Sequence, residues 1–115
     1  MLPKPNRLKK RNDFDRVFKE GKGFKEDFLF FKLAKNDLKL SRFGFVVSRQ
    51  FSPKATVRNR MKNRLREKIR AELPGIKPGF DGILIVQKGV HQLTDKNYQE
   101  IAGVIERLFK KAKLI

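Results

Sequence analysis

Arg58-Asn59-Arg60-Met61-Lys62-Asn63-Arg64-Leu65-Arg66-Glu67-Lys68-Ile69-Arg70 holds seven basic residues in 13, with Glu67 as its one acid. At 100° per residue, Val57, Met61, Leu65, Ile69 and Leu73 form a winding apolar stripe, which predicts a helix. Asn59, Asn63, Arg66 and Arg70 fall on the opposite side, flanked by Arg60 and Glu67. A cationic helix of this length repels itself and is marginal alone in water. Its apolar stripe must therefore dock on a core built by the segments around it. Its other face is not laced with i,i+4 ion pairs, as a solvated surface helix usually is. Arginine outnumbers lysine there five to two, and a guanidinium fork matches two phosphate oxygens at once.

The flanking segments supply the strands. Phe28-Leu29-Phe30-Phe31-Lys32-Leu33 reads as a strand with apolar residues on both faces. Phe28 and Phe30 point one way and are assigned to the core. Leu29, Phe31 and Leu33 point the other way. After a polar turn through Asn36 and Asp37, Arg42 to Ser48 reads as a second strand, with Phe43, Phe45 and Val47 on one side. The two are expected to pair as an antiparallel hairpin. Gly82-Ile83-Leu84-Ile85-Val86 is a continuous apolar run, hence a strand covered on both faces. Between it and the basic helix, Pro74 to Phe80 is a turn region with two Gly and two Pro.

Two more helices are expected. Phe14, Val17 and Phe18 share a face of a short helix capped by Asn12 or Asp13 and stopped by Gly21. Residues 22–27 read as a loop. Thr94 is the expected cap of a last helix, whose buried face comprises Tyr98, Ile101, Ala102, Ile105, Leu108, Phe109 and Ala112. Residues 1–11, with Pro3 and Pro5, read as an extended basic arm. The expected fold is α+β: a small single-domain α/β sandwich over 1–115, in the order α-β-β-α-β-α with room for one further short strand.

Charge and composition point to the partner. Of 115 residues, 29 are Lys or Arg and 12 are Asp or Glu, a formal +17. A domain this basic attracts polyanions, nucleic acid first. Eleven Phe, one Tyr and no Trp supply ring faces on which bases stack as well as core volume. No run of 18 apolar residues predicts a membrane span. The charged N-terminus has no apolar region behind it to make a secretory signal. The absence of cysteine removes disulfides and thiolate metal sites and suits the cytoplasm.

No catalytic constellation stands out. His91 is the only histidine and reads as an exposed or capping residue. Gly21-Lys22-Gly23 follows a helix and lacks the Gly-Lys-Ser/Thr ending of a phosphate cradle. The carboxylates are scattered, whereas a protein nuclease working through two metals clusters them.

Val57-Arg58-Asn59-Arg60-Met61-Lys62 with Leu65-Arg66-Glu67, and Asn6-Arg7-Leu8-Lys9 with Phe14, Val17-Phe18 and Gly21, resemble the two motifs of the bacterial ribonuclease P protein subunit. The order of elements is similar along essentially the whole chain. The resemblance implies a ribosomal-protein-like fold with a left-handed βαβ crossover, against the usual right-handed rule. It implies a catalytic RNA subunit, working with Mg²⁺, that removes the 5′ leader of precursor tRNA. The protein binds that RNA and holds the leader. On this sequence the RNA-subunit surface would comprise Arg58, Asn59, Arg60, Lys62, Arg64, Arg66 and Arg70, and the leader cleft Phe14, Phe18 and Phe31. Asn63 departs from the family pattern, standing where a basic residue is usual. No metal bound by the protein alone, no membrane and no obligate protein partner is implied.

Two other classes fit the charge: a structural ribosomal-type RNA-binding protein, and a helix-turn-helix DNA binder reading through residues 57–72. Two strands separate that helix from the helix before it, which disfavours the DNA-binding motif.

Overall fold

The apolar run Phe80–Val86 becomes β4, an inner strand of a four-stranded mixed sheet of order β1-β2-β4-β3. In this computed structural model the structure describes residues 2–26, 29–87 and 98–115, with the backbone alone for Tyr98 and Gln99. The elements in chain order are α1 (Arg11–Glu20), β1 (Lys22–Glu26), β2 (Leu29–Lys35), β3 (Arg42–Val47), α2 (Ala55–Glu72), β4 and α3 (Tyr98–Lys111). Thr94, His91, the loop 88–93 and Phe28 lie outside the described residues.

Two strand expectations are corrected. Residues 22–26 are an edge strand, β1, paired antiparallel with β2, so the room left for a short strand is filled there. The segments at 29–35 and 42–47 do not pair with each other. β2 lies antiparallel to β4, and β3 lies parallel to β4 on its other side. The reason is burial. β4 has two apolar faces and gains most from neighbours on both edges, and the parallel β3–β4 pair is joined through α2 as a βαβ unit.

The sheet sends alternate residues to two layers. One face carries Leu29, Phe31 and Leu33 of β2, Phe43 and Val47 of β3, and Leu84 and Val86 of β4; these pack with Met61, Leu65 and Ile69 of α2 and Ile101, Ile105, Leu108 and Phe109 of α3. The Phe31 and Phe109 rings sit 5.3 Å apart, centroid to centroid. The apolar stripe of the basic helix is thus seated as its spacing predicts, and Val104 joins the expected face of α3. The other face carries a smaller core of Leu8, Val17, Ala34 and Ile83, closed by α1.

Local details differ from expectation for steric reasons. α1 begins at Arg11 after Lys10, with no side-chain cap. Asp13 lies in the first turn and pairs with Arg42 instead. Gly21 does end the helix, but with extended backbone. A Cβ there would stand 2.3 Å from the Val17 carbonyl oxygen, so only glycine fits. The N-terminal arm is docked rather than free. Lys4–Asn6 form a 3-10 turn, Leu2 and Leu8 are buried, and the Leu8 N–H donates to the Phe43 carbonyl at 2.9 Å.

One polar knot ties the second layer down. Asp81 of β4 is fully buried and ion-paired with Arg16 of α1 and Arg42 of β3. The Asn36 amide donates to its Oδ1 at 2.8 Å, and the Arg42 Nε to the same atom at 2.9 Å. The Asp81 carboxylate holds the Arg42 guanidinium above its ordinary pKa. Asp81→Asn leaves two arginines around a neutral amide. Breaking a buried ion pair costs about 3–5 kcal/mol. The half-open arginines place this case near the low end, about 3 kcal/mol, or a fall of order 10 °C in Tm. Thermal unfolding followed by circular dichroism checks it.

Candidate nucleic-acid interface

α2 presents its polar side away from the core. Asn59, Arg60, Asn63 and Arg70 are exposed; Arg58, Lys62, Arg64 and Arg66 are half-buried. Several of the cations are held in place by neighbours that are not acids. The Arg58 Nη1 donates to the Ser52 carbonyl at 3.0 Å, fixing the loop before the helix. The Arg66 Nη1 donates to the Asn63 side-chain oxygen at 2.9 Å, and its guanidinium lies 5.5 Å from the Phe45 ring centroid. Asn63 thus orients a neighbouring arginine. Such a pre-set fork loses less freedom when it meets a phosphate. The first turn of α2 has no acidic residue, so its positive dipole end adds to the same field. Lys68, by contrast, is spent on structure: it bridges Glu72 and Glu106 at 2.6 Å each and ties α2 to α3.

The opposite sheet face is only partly covered. Phe14 is half-buried above Gly44, where a Cβ would come within 2.4 Å of its ring. Val17 fills the space over Ala34 and Ile83. α1 thereby leaves one cross-strand row open, Lys25–Phe30–Ile85–Val46, consecutive in the strand register. Phe30 is 39% exposed and Phe18 on α1 is 41% exposed. The Lys25 ammonium stands 5.3 Å from the Phe30 ring centroid, and Lys32 shares the same face. Bare rings beside lysines are the elements of a single-strand platform.

The structure brings Phe14 and Phe18 to this face and removes Phe31 from it. Phe31 is fully buried on the other side, against Phe109, so it cannot stack on a ligand. The exposed ring of β2 is Phe30, which the sequence reading assigned to the core. Phe30, Lys25, Ile85 and Val46 are candidate interface residues that the sequence reading did not name. Lys32 carried the signal: it has the same parity as Phe30, and a lysine marks the wet face of a strand. Among the described residues, no three His, Asp or Glu side chains gather as a metal site.

A family model described as Ribonuclease P matches residues 2–113. The chain belongs to the ribonuclease P protein family. A Ribonuclease P protein component from Synechocystis is 41% identical over 115 residues, covering 99% of this chain and 90% of that protein. One from Alkaliphilus oremlandii is 34% identical over 96% of this chain and 93% of its own length. A Staphylococcus aureus RNase P protein mutant, described as defective in mRNA degradation activity, superposes with a TM-score of 0.86 at 26% identity, covering 97% of this chain and 92% of its own. The Thermotoga maritima RNase P protein superposes at 0.74 with 33% identity, covering 91% and 96%. As a ribonuclease P protein component, the chain is a subunit of a ribonucleoprotein endoribonuclease of tRNA processing, and it associates with the ribonuclease P RNA. The ribosomal-type and DNA-binding readings fall away.

Arg66→Ala should lower the slope of log K against log salt for binding that RNA by about 0.7–0.9, one phosphate contact. A filter-binding series across salt concentrations measures it. An unchanged slope assigns Arg66 to packing on Phe45 alone.

Proposed function

We propose that the two faces divide the work of the subunit. The outer side of α2, through Arg58, Asn59, Arg60, Lys62, Arg64, Arg66 and Arg70, takes the catalytic RNA. The α1 face, through Phe14, Phe18 and the open row at Phe30, takes the single-stranded 5′ leader of precursor tRNA. The observation that carries the second half is the row Lys25–Phe30–Ile85–Val46, only partly covered, with an exposed Phe30 beside an exposed Phe18. Leader bases stack on Phe18 and Phe30 while Lys25 and Lys32 neutralise phosphates. The two RNAs then approach from opposite sides of the sheet, and neither blocks the other.

The chemistry belongs to the RNA in this reading, with Mg²⁺ acting through RNA ligands. The described residues offer no carboxylate cluster for a metal, and buried Asp81 is committed to Arg16 and Arg42. The protein acts as one RNA-binding domain that raises the affinity of the enzyme for leader-bearing substrate, in the cytoplasm. Purified protein freed of RNA should not cleave precursor tRNA.

Phe18→Ala tests the leader assignment. An exposed ring contributes little to stability, so Tm should hardly move. A lost stacking contact costs about 1–3 kcal/mol, or roughly five- to a hundredfold in affinity. The assembled enzyme should lose that factor for precursor tRNA with a leader and nothing for mature tRNA. Equal loss for both substrates, or a large fall in Tm, would return Phe18 to a packing role.

A further inference from the structure

A second groove lies on the opposite side of the sheet from α1, at the far end of α3. Lys22, Phe24, Leu33, Lys35 and Phe80 project to the α3 face from β1, β2 and β4. α3 ends at Lys111, before it can cover them. The chain then turns under: the Lys113 N–H donates to the Lys110 carbonyl and the Leu114 N–H to the Phe109 carbonyl, and Leu114 is buried. What remains is a groove of about 310 Å³ floored by half-buried Phe24 and Phe80 and rimmed by Lys22, Lys35, Lys111 and Lys113.

Four observations point to its occupant. Among the described residues, no acidic side chain lines the groove. Lys111 is committed to Glu26 at 2.6 Å, and no carboxylate among the described residues pairs with Lys22, Lys35 or Lys113. The Lys22 ammonium stands 5.7 Å from the Phe24 ring centroid, so a cation and a ring are offered to one ligand. Lys113 has a left-handed backbone, φ 57°, at the position after a helix where glycine is the usual residue. A lysine there costs conformational energy that glycine would avoid, and it places a charge on the rim.

We propose that this groove is a second binding site for single-stranded RNA, distinct from the α1 face and open while that face is occupied. Phosphates meet the lysine rim and one or two bases stack on Phe24 and Phe80, the combination by which proteins hold unpaired strands without reading their sequence. A second copy of this chain is disfavoured by the repulsion between two molecules of formal charge +17. The proposal does not rest on the leader assignment.

The test uses the full chain and a hexauridylate carrying a photoactivatable 4-thiouridine, with crosslinked peptides mapped by mass spectrometry. Crosslinks are expected at Phe24 or Phe80 in addition to any on α1 or α2. Lys22→Ala combined with Lys113→Gly should lower the salt slope of the groove crosslink by about 1.4, two contacts at about 0.7 each, and leave other crosslinks unchanged. Lys113→Gly alone should weaken the groove crosslink while its Tm stays level or rises, which separates binding from folding. Absence of groove crosslinks overturns the proposal, as does a crosslink insensitive to both variants. Hexaglutamate competing as well as unlabelled hexauridylate would also overturn it, because the groove would then be a general anion patch. The leader assignment is read separately, from the preference for precursor over mature tRNA, so the two ideas fail independently.

Discussion

The buried carboxylate of Asp81 is the constraint on which the α1 face depends. It sits on β4 and accepts from Arg42 of β3 and Arg16 of α1. Arg42 also reaches Asp13 in the first turn of α1, at 3.4 Å. α1 has little else to hold it: Val17 is its one fully buried residue, and Phe14 and Phe18 stay partly in solvent. A ten-residue helix is not stable by itself in water. The ion pairs therefore set where α1 crosses the sheet, and hence which cross-strand row stays open. An apolar substitute at Asp81 would leave two guanidinium groups side by side on the α1 face with no carboxylate between them.

Three further acids join elements of the other layer. Glu72 and Glu106 clasp Lys68 between α2 and α3, and Glu26 clasps Arg107 and Lys111 between β1 and α3. Hydrogen bonds from Lys111 and Lys68 hold the carboxyls of Glu26 and Glu106, respectively, below the usual carboxylate range. A carboxylate with a lowered folded pKa stabilises the fold above its unfolded pKa and loses that contribution as pH falls through the folded value. These clasps thus persist in mild acid. Joining α2 to α3 and β1 to α3, they help hold together a strongly cationic chain while leaving the outer face of α2 basic. Salt-sensitive RNA binding follows from the same distribution.

Much of the fold was legible because its signals were long and regular. The stripe Met61, Leu65, Ile69 and the α3 face are 3.6-residue patterns that packing then satisfied. β4 read as covered on both faces, which holds from Asp81 to Leu84 and at Val86 but not at Ile85, which is half-buried in the open row. β1 was hidden because Gly21 and Gly23 flank Lys22 and suggest a loop, while its pairing with β2 is long-range information. The partner of β3 was hidden for the same reason: sequence adjacency favours a hairpin, and only burial of β4 on both edges prefers the parallel arrangement. Within the candidate site, the basic helix was legible from its apolar stripe, and its polar face from charge. Of the aromatic face, Phe14 and Phe18 were legible but Phe31 was taken for Phe30, because strand parity separates the two without naming the wet side. Lys32 and Lys25 name it once the register is fixed.

The central claim is that catalytic RNA and leader meet different faces of one sheet. Amide hydrogen exchange of the assembled particle tests it most directly. The account predicts that the ribonuclease P RNA alone slows exchange along α2 and leaves α1 unchanged. Precursor tRNA with a leader then adds protection on α1 and on β2 around Phe30, and mature tRNA does not. Protection of α1 by the RNA subunit alone, or equal protection by precursor and mature tRNA, would contradict it.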